Sequence, residues 1–493
     1  MKKSMLNIPK NKVLYVFFKI EGSVVKIIKI LYNYCGSKII PAAVINRNLD
    51  VRFYEGWILI MIIMFHTLGC KVNQYETQVM RAAAENAGYI TADFAADGCT
   101  PDAVVINSCT VTGESDRKLR SLLRRIRRAF PPVILVLTGC MPQAFPETAA
   151  GFSDVDIILG NAARRGVIES IEQYLLLRER IVHIPEHGKE FEPMAIDRFE
   201  GRTRAFVKIE DGCNRFCSYC IIPYARGRVR SKPAEDIRTE ISLLAQRGYC
   251  EVVLAGINLT AYGQEWGISL CDAVDIACGI DGINRVRLGS LEPDMLDEAA
   301  IKRFAAQPKL CPQFHLSLQS GCADTLARMN RRYTPAEYES VCSILRRYFP
   351  ECALTTDVMV GFPGETDGEF EQSVEFVRRI GFSRVHVFAY SLRPGTPAAA
   401  APDQISAGKK TERSKRMIAG CDIMRDSYLD TLIGKNAEVL VETYDGTYVQ
   451  GHTAQYVPVR IKFPDGERLC GHTLEVRITE HSDGVMTAHE LTI

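Results

Sequence analysis

The sequence predicts an α/β protein with an N-terminal parallel α/β domain, a central partial (β/α)6 barrel and a small C-terminal all-β barrel. Apolar strand patterns alternate with helical patterns over residues 61–185, and six further strand–helix units follow over residues 199–428. Short alternating strands separated by Gly, Asp and Asn turns then fill residues 431–493. A chain of 493 residues is also too long for one ordinary core, so several domains are expected.

The N-terminal domain is predicted to begin in the apolar run MIIMFHT at residues 61–67, which we interpret as a buried strand. Strands and helices that alternate along the chain form parallel sheets, because each helix carries the chain back across the sheet. The other elements expected in this domain are helices at 74–87 and 114–130 and strands at 102–108, 133–139 and 154–160.

Residues 1–60 lie outside this regular pattern. They contain Lys-rich and apolar patches, and the apolar run at 57–65 has nine residues, whereas a bilayer span needs about 20. No small-residue cleavage site follows a single hydrophobic core, so a signal peptide is a poor fit. We expect no membrane anchor here, and interpret residues 1–60 as a short extension or the product of an upstream start.

A polar stretch at 185–200 is predicted to link the N-terminal domain to the barrel. The active site of such a barrel lies at the C-terminal ends of its strands. The all-β tail resembles architectures that bind oligonucleotides, although a purely structural cap is the alternative. The barrel strands are predicted near 205–209, 251–255, 285–289, 313–318, 354–360 and 384–390.

Composition limits the classes of function. The net charge of +1 argues against a protein that coats nucleic acid indiscriminately, so any nucleic-acid site must be a local basic surface. The 17 cysteines are an odd number in a large chain, a usage that points to a reducing cytoplasm rather than a disulfide scaffold. Some of these thiols are expected to bind a metal, and most to be small buried apolar groups.

The strongest local signal is the segment DGCNRFCSYCIIP, with Cys213, Cys217 and Cys220 in the loop after the first barrel strand. Thiolates are the preferred ligands of a [4Fe–4S] cluster, and three of them leave one iron open to bind something else. Structural zinc is the alternative, but it wants a fourth Cys or His at close spacing. No His lies between Arg202 and Arg230.

A second set of cysteines follows the strands of the N-terminal domain. Cys70, Cys109 and Cys140 each come just after a predicted strand, in TLGC, INSC and LTGC. Ligands of open α/β sheets gather at these strand ends, so the three thiols are expected to converge. The alternative is that each is an ordinary small residue in a loop.

The spacing CxxxCxxC, with Tyr219 before the last cysteine, resembles the radical S-adenosylmethionine (SAM) enzymes. The resemblance implies that the open iron chelates SAM and that one-electron reduction cleaves SAM to a 5′-deoxyadenosyl radical. From about Met61 to its end the chain is similar to the methylthiotransferase family of these enzymes. The motifs that carry this similarity are HTLGCKVNQYET (66–77), NSCTVT (107–112), TGCMPQ (138–143), LAGINLTAYG (254–263), RLGSLEP (287–293), HLSLQSG (315–321), DVMVGFPGET (357–366) and FAYSLRPGTPA (388–398).

The family resemblance implies a second, auxiliary [4Fe–4S] cluster on Cys70, Cys109 and Cys140, and a C-terminal RNA-binding TRAM domain. LGCKVNQYET resembles the branch that acts on N6-threonylcarbamoyladenosine at position 37 of tRNA, although Asn258 stands where that branch often has His. The implied activity is transfer of a sulfur-containing group, with tRNA, an electron donor and a sulfur source as partners. The alternatives are methylthiotransfer to isopentenyladenosine or a ribosomal protein, and a non-catalytic RNA-binding protein with structural zinc.

Four residues at predicted strand ends are candidate SAM contacts: Gly256, Glu292, Gln319 and Gly361. Glycine lets a backbone approach a nucleoside, while Glu and Gln can hydrogen-bond amino, carboxylate or ribose groups. A loop-structural role is the alternative for each. In the C-terminal barrel, Arg460, Lys462 and Arg468 are candidate phosphate contacts and Tyr448 and Tyr456 candidate stacking platforms. The basic helix at 117–128 is interpreted first as a solvated face.

Overall fold

The computed structural model describes residues 14–18, 26–30, 61–94 and 100–491. Residues Met1–Ile60 and Met61–Ile493 form two separate compact units. In the first unit, strand β1 (Leu14–Phe18) pairs antiparallel with β2 (Lys26–Ile30). The other expectations for residues 1–60 fall outside the described residues.

The N-terminal domain is the parallel α/β domain that the sequence predicts. Its sheet has the order β4-β3-β5-β6-β7-β8, and every pairing is parallel. The inner strands β5, β6 and β7 are buried on both faces because helices cover both sides, which explains their continuous apolar runs. Its strands are β3 (Ile62–Thr67), β4 (Ile90–Asp93), β5 (Ala103–Ser108), β6 (Ile134–Gly139), β7 (Ile157–Leu159) and β8 (Ile181–His183). Its helices are α1 (Lys71–Asn86), α2 (Gly113–Ala129), α3 (Cys140–Ala144), α4 (Pro146–Ala150) and α5 (Val167–Leu177).

The central domain is the predicted partial barrel. It contains two parallel sheets, with the strand orders β13-β12-β9 and β14-β15-β16-β17. A single residue separates β13 from β14, so the chain passes directly from one sheet to the other. A short antiparallel pair, β10 with β11, precedes and follows the loop that carries the second cysteine triplet. The strands are β9 (Arg204–Lys208), β10 (Glu210–Asp211), β11 (Arg230–Ser231), β12 (Glu251–Ala255), β13 (Arg285–Leu288), β14 (Ser290–Leu291), β15 (Gln313–Gln319), β16 (Ala353–Val360) and β17 (Arg384–Ala389).

The barrel helices pack on the apolar outer face of these strands and form the largest buried core. Several begin with the capping pattern that sequence alone suggests, as at Thr366, whose hydroxyl accepts from the backbone of Glu369. The helices are α6 (Ile222–Arg226), α7 (Ala234–Gln246), α8 (Leu270–Cys278), α9 (Glu298–Ala305), α10 (Ala323–Arg328), α11 (Pro335–Tyr348), α12 (Asp367–Ile380), α13 (Pro397–Ala400) and α14 (Ala407–Asp430).

The polar stretch at 185–200 contains no regular helix or strand, but it is firmly packed. Met194, Ile196 and Phe199 are buried in the core of the central domain. The carbonyl of Met194 accepts from the Tyr75 hydroxyl at 3.0 Å and from Lys232 Nζ at 2.7 Å. The stretch therefore holds α1 and the barrel together.

The C-terminal domain is a closed five-stranded barrel with the order β18-β19-β20-β22-β21, as expected of a TRAM domain. Its inward residues alternate with exposed ones, which gives the period of two seen in the sequence. The strands are β18 (Asn436–Tyr444), β19 (Tyr448–Thr453), β20 (Pro458–Lys462), β21 (Thr473–Ser482) and β22 (Val485–Glu490).

This small barrel sits against the N-terminal ends of the central strands. Arg285 Nη2 pairs with Glu438 at 2.6 Å, and Arg287 Nη1 donates to the carbonyl of Ala454 at 2.8 Å. The ring of Tyr456 faces the guanidinium carbons of Arg204 and Arg287 at 4.7 and 4.9 Å. Tyr456, expected as a platform for RNA bases, is instead a contact between two domains of the protein. Among the described residues, none of the helices is long and apolar enough to cross a membrane.

Candidate active site between two cysteine triplets

The first triplet lies at the C-terminal edge of the N-terminal sheet. Cys70 precedes α1, Cys109 follows β5 and Cys140 begins α3 directly after β6. Because β3, β5 and β6 are neighbours in the sheet, their ends bring the three residues to one place. Gly69 lies so close to Cys109 that a side chain on Gly69 would come within 2.9 Å of the Cys109 Cβ.

Asparagines hold the first triplet in place. Asn73 accepts from the Cys70 thiol at 3.2 Å and donates to Asn107 and to the Ser108 carbonyl, both at 3.1 Å. Asn161 donates to Cys140 Sγ at 3.6 Å. The loop of Cys70 is thereby tied to the end of β5, beside Cys109.

Burial disfavours the charged form of two thiols in this triplet. Burial, and next the neighbouring Cys140, raise the pKa of Cys109 to about 12. Burial also raises the pKa of Cys70, although the residue as a whole reaches the surface. Buried thiolates need a compensating positive charge, which bound iron or zinc supplies. Three thiols at one edge of the sheet, one of them on an exposed residue, are the donor set of an iron–sulfur cluster that keeps one iron open.

The second triplet occupies the loop between β10 and α6, at the C-terminal end of β9. The turn at 328–331 holds this loop: Asn330 Nδ2 donates to the Phe216 carbonyl at 2.9 Å, and the Ser218 amide donates to Met329 at 3.0 Å. Burial raises the pKa of Cys213 and of Cys220 to about 12 in each case. The loop thus holds three closely spaced thiols in a fixed conformation at a strand end, which suits a cluster site.

A buried arginine contacts this second triplet. Arg331 Nη1 donates to Cys217 Sγ at 3.2 Å, and its side chain is 4 % exposed. Its other nitrogens bind Glu292 and the Tyr333 hydroxyl. Arg331 cannot be recognised from the sequence, because one arginine in the run RR forms no pattern of its own.

One of the four candidate SAM contacts is linked to Cys217 through Arg331, and another has an unusual backbone conformation. Glu292 forms an ion pair with Arg331. Gln319 ends β15 at a register shift and takes a positive φ of 68°. Such a backbone is rare for a residue other than glycine and is concentrated at functional sites.

At the two candidate glycines, neighbouring atoms of the protein leave no room for a larger side chain. A Cβ on Gly256 would come within 2.6 Å of Glu210 Oε2, which accepts the amides of Ile257 and Asn258 at 2.7 Å. Gly361 has a φ of +71°, and a Cβ there would meet the Lys410 side chain of α14 at 2.4 Å. Contacts within the chain thus account for both glycines.

A buried ion network joins the two triplets. Glu76 of α1 contacts Arg226 at 2.7 Å, Lys208 at 2.9 Å and Arg164 at 3.2 Å. Asp211 pairs with Lys208 at 2.6 Å and with Arg226 at 3.1 Å. Burial would raise the pKa of Glu76, but the Arg164, Arg226 and Lys208 cations lower it to about 2. The network fixes α1, which follows Cys70, to the strand pair and helix that flank the second triplet.

Comparison with known proteins identifies two regions of the chain. The family model of the Radical SAM superfamily matches residues 207–377, and that of the uncharacterized protein family UPF0004 matches residues 62–160. The radical SAM methyltransferase TsrM from Kitasatospora setae, solved with cobalamin and a [4Fe–4S] cluster bound, has a similar fold. Its TM-score is 0.52 at 16% identity, over 69% of this chain and 77% of that one.

Similarity to curated relatives extends over most of the chain. The threonylcarbamoyladenosine tRNA methylthiotransferase MtaB of Thermotoga maritima is 38% identical over 78% of this chain and 87% of its own length. The Bacillus subtilis protein of the same description is 35% identical over 84% and 93%. A tRNA-2-methylthio-N(6)-dimethylallyladenosine synthase from Pelotomaculum thermopropionicum is 36% identical over 77% and 86%. Because these relatives are 35–38% identical over most of this chain and of their own length, the chain belongs to the methylthiotransferase family of radical SAM enzymes.

Proposed function

We propose that the protein is a tRNA methylthiotransferase that converts N6-threonylcarbamoyladenosine at position 37 to its 2-methylthio derivative. The observation that carries this proposal is the pair of cysteine triplets, joined by one buried ion network, in a chain 38% identical to a relative described by that activity. The net change replaces the C2–H bond of the adenine by a C–SCH3 bond. SAM is used both as methyl donor and as radical source.

We assign each triplet to its own [4Fe–4S] cluster, Cys213, Cys217 and Cys220 to the SAM-cleaving cluster and Cys70, Cys109 and Cys140 to the auxiliary one. When bound, the SAM-cleaving cluster and SAM would supply the radical chemistry, and the auxiliary cluster would carry the sulfur that the separate source delivers. Glu292 and Gln319 are proposed to hydrogen-bond SAM, because Glu292 follows β14 and is linked to Cys217 through Arg331, and Gln319 ends the neighbouring strand β15 with a positive φ. Gly256 and Gly361 are proposed to shape the adjoining loops of the SAM site.

The partners follow from the chemistry. The target base has to leave its stack in the anticodon loop to reach the site, as in enzymes that flip bases. An electron donor and a sulfur source complete the reaction. The cytoplasm is the proposed compartment, since the substrate is tRNA and the 15 cysteines within the described residues are all free thiols.

One side chain favours threonylcarbamoyladenosine over dimethylallyladenosine. Lys71 is half-buried at the first position of α1, next to Cys70. Within the part of the chain that the structure describes, its ammonium belongs to none of the ion pairs. Burial, and next Arg287 and Arg204, lower the pKa of Lys71 to about 8, while these arginines are themselves paired with Glu251 and Glu442. A threonylcarbamoyl group carries a carboxylate that an unpaired ammonium can bind, whereas a dimethylallyl group is apolar.

Nucleoside analysis of tRNA tests the function. A deletion strain is expected to lose the 2-methylthio derivative of threonylcarbamoyladenosine and to accumulate its precursor, and the restored gene should reverse both changes. Loss of the 2-methylthio dimethylallyl nucleoside instead would assign the other adenosine substrate. Anaerobic reconstitution tests the alternative of a non-catalytic zinc protein. Clusters give a brown protein that absorbs at about 400 nm, whereas structural zinc gives a colourless one.

Arg331 is expected to raise the midpoint potential of the SAM-cleaving cluster. A guanidinium that donates to the Cys217 sulfur stabilises the added negative charge of the reduced cluster, so its removal should lower the midpoint potential by tens of millivolts. Arg331→Gln should show this shift in a redox titration followed by electron paramagnetic resonance, and Arg331→Lys should recover part of it. The neighbouring exposed Arg332, changed to Gln, is the matched control. Equal potentials in wild type and Arg331→Gln would show that the contact has no electrostatic role.

A further inference from the structure

Two loops from different domains are joined beside the cysteine triplets. The Gly113 amide donates to Ser391 Oγ at 2.9 Å. Arg393 Nη2 donates to Thr110 Oγ1 at 2.7 Å and pairs with Asp116 at 2.8 Å. Arg393 is itself 3 % exposed, so these bonds form the buried floor of the junction.

Above that floor, large apolar side chains face outward. Val111, Phe388 and Leu392 are 50, 46 and 48 % exposed. We call the segments 110–113 and 388–393 with these three side chains the apolar seam. Exposed apolar groups on well-fixed segments, here two loops and the end of β17, point to an interaction site, because solvation alone would favour polar residues there.

The seam lies between the two triplets. At one side Thr110 directly follows Cys109. At the other, Tyr390 packs on Phe362, with ring centres 5.6 Å apart, and Phe362 packs on Tyr219 at 6.4 Å. Tyr219 stands between Cys217 and Cys220, so a molecule on the seam is close to both candidate cluster sites.

Positive charge adjoins the seam. Helix α2 begins at Gly113, within the seam, and exposes Arg120, Arg124 and Arg128 along its length. Within the described residues these three guanidiniums take part in none of the ion pairs. Arg120 lies about 10 Å along α2 from Gly113, and Arg124 and Arg128 lie farther along the helix. An exposed aromatic ring, with a row of unpaired arginines leading away from it, can bind single-stranded RNA by base stacking and by phosphate contact.

We propose that the apolar seam is the surface that receives the anticodon loop, with Phe388 stacked on a base next to the target adenosine and Val111 and Leu392 against the sugar and base edges. This inference rests on the proposed function and names the RNA-facing surface of the same site. The arginines of α2 then contact the backbone phosphates, so that part of the affinity falls with added salt.

The test measures the affinity of the full-length holoenzyme for a fluorescent anticodon stem-loop RNA at one fixed salt concentration. Phe388→Ala should raise Kd roughly tenfold, as expected for the loss of one base stack, while Phe388→Tyr should bind as wild type does. Leu392→Ala should weaken binding by a smaller factor. Leu243→Ala, which removes a similarly exposed leucine from α7, is the matched control and should leave Kd unchanged.

A second readout locates the contact. With 2-aminopurine beside the target position, binding to wild type should change the fluorescence of the probe, and Phe388→Ala should abolish that change. If Phe388→Ala fails to retain iron, Leu392→Ser serves as the second variant, since its side chain is about half exposed.

The outcomes separate the two proposals. Wild type that neither binds the RNA nor modifies tRNA overturns the proposed function. Wild type that does both, with seam variants of unchanged Kd and unchanged probe signal, overturns the seam alone. In that case, slower reduction of the seam variants by a protein electron donor would make the surface a protein docking site.

Discussion

Replacing Cys213, Cys217 and Cys220 together by Ala is expected to leave about four irons per chain, in the auxiliary cluster, and to abolish SAM cleavage. Replacing Cys70, Cys109 and Cys140 should also leave about four irons, but SAM cleavage should continue without a thiolated product. The physical reason is that each triplet occupies its own strand-end site and supplies three thiolates to one cluster. Iron analysis, the visible spectrum and the yield of 5′-deoxyadenosine measure these outcomes.

The control for both variants is Cys342→Ala. Cys342 is buried on α11 in the core of the central domain, away from both triplets. It should keep about eight irons per chain and lose only the stability that a small cavity costs. A triple variant that retained about eight irons would show that other residues hold the clusters.

The elements around both sites could be predicted because their patterns are local. The strand at 251–255 was predicted at its observed bounds, and the helix predicted at 114–130 was placed within one residue at each end. A buried parallel strand reads as a continuous apolar run, and an amphipathic helix has its own period. The cysteine triplets can be recognised in the sequence for the same reason. The cysteines of one triplet are closely spaced, and each cysteine of the other directly follows a predicted strand.

Other elements were missed because tertiary packing decides them. The edge strands β4 and β8 are short and partly exposed, so their residues carry weak patterns. Helix α14 has an apolar stripe too weak to mark it in the sequence. The stretch at 185–200 is polar overall, yet Met194, Ile196 and Phe199 anchor it, since isolated apolar residues in a loop have no period.

The small barrel shows a further limit of sequence patterns. Tyr456 was a sensible candidate for RNA stacking, since an aromatic residue in such a barrel is often exposed. The structure places its ring between Arg204 and Arg287 of the central domain. Removal of the C-terminal barrel would therefore uncover two buried arginines, so RNA affinity is better tested by point variants such as Arg460→Gln than by truncation.

The buried ion network could not be predicted from the sequence, because its partners lie far apart in the chain. Glu76 and Arg226 are separated by 150 positions, and charge pairing at that distance leaves no periodic signal. The network nonetheless joins α1 to the hairpin and helix that carry Asp211 and Arg226. Its integrity is therefore expected to decide whether the two cluster sites keep their relative position.

Glu76→Gln is expected to destabilise the N-terminal and central domains by roughly 3–5 kcal/mol, the cost of leaving buried charges unpaired. Glutamine keeps the shape of the side chain but removes the anion that Arg164, Lys208 and Arg226 share, so these cations lose a common partner. Urea unfolding followed by circular dichroism measures the change. Glu114→Gln, which removes the partner of exposed Arg117 on α2, is the control and should unfold as wild type does.

Glu76→Gln should also weaken the binding of iron. Arg226 also donates to Asn73, which accepts from the Cys70 thiol, so disorder in the network should loosen the auxiliary site before the other one. Below its unfolding transition, Glu76→Gln is therefore expected to lose iron faster than wild type, down to about four per chain, while it keeps SAM cleavage. Unfolding at the wild-type urea concentration, with about eight irons retained, would show that the network is a passive contact between the domains.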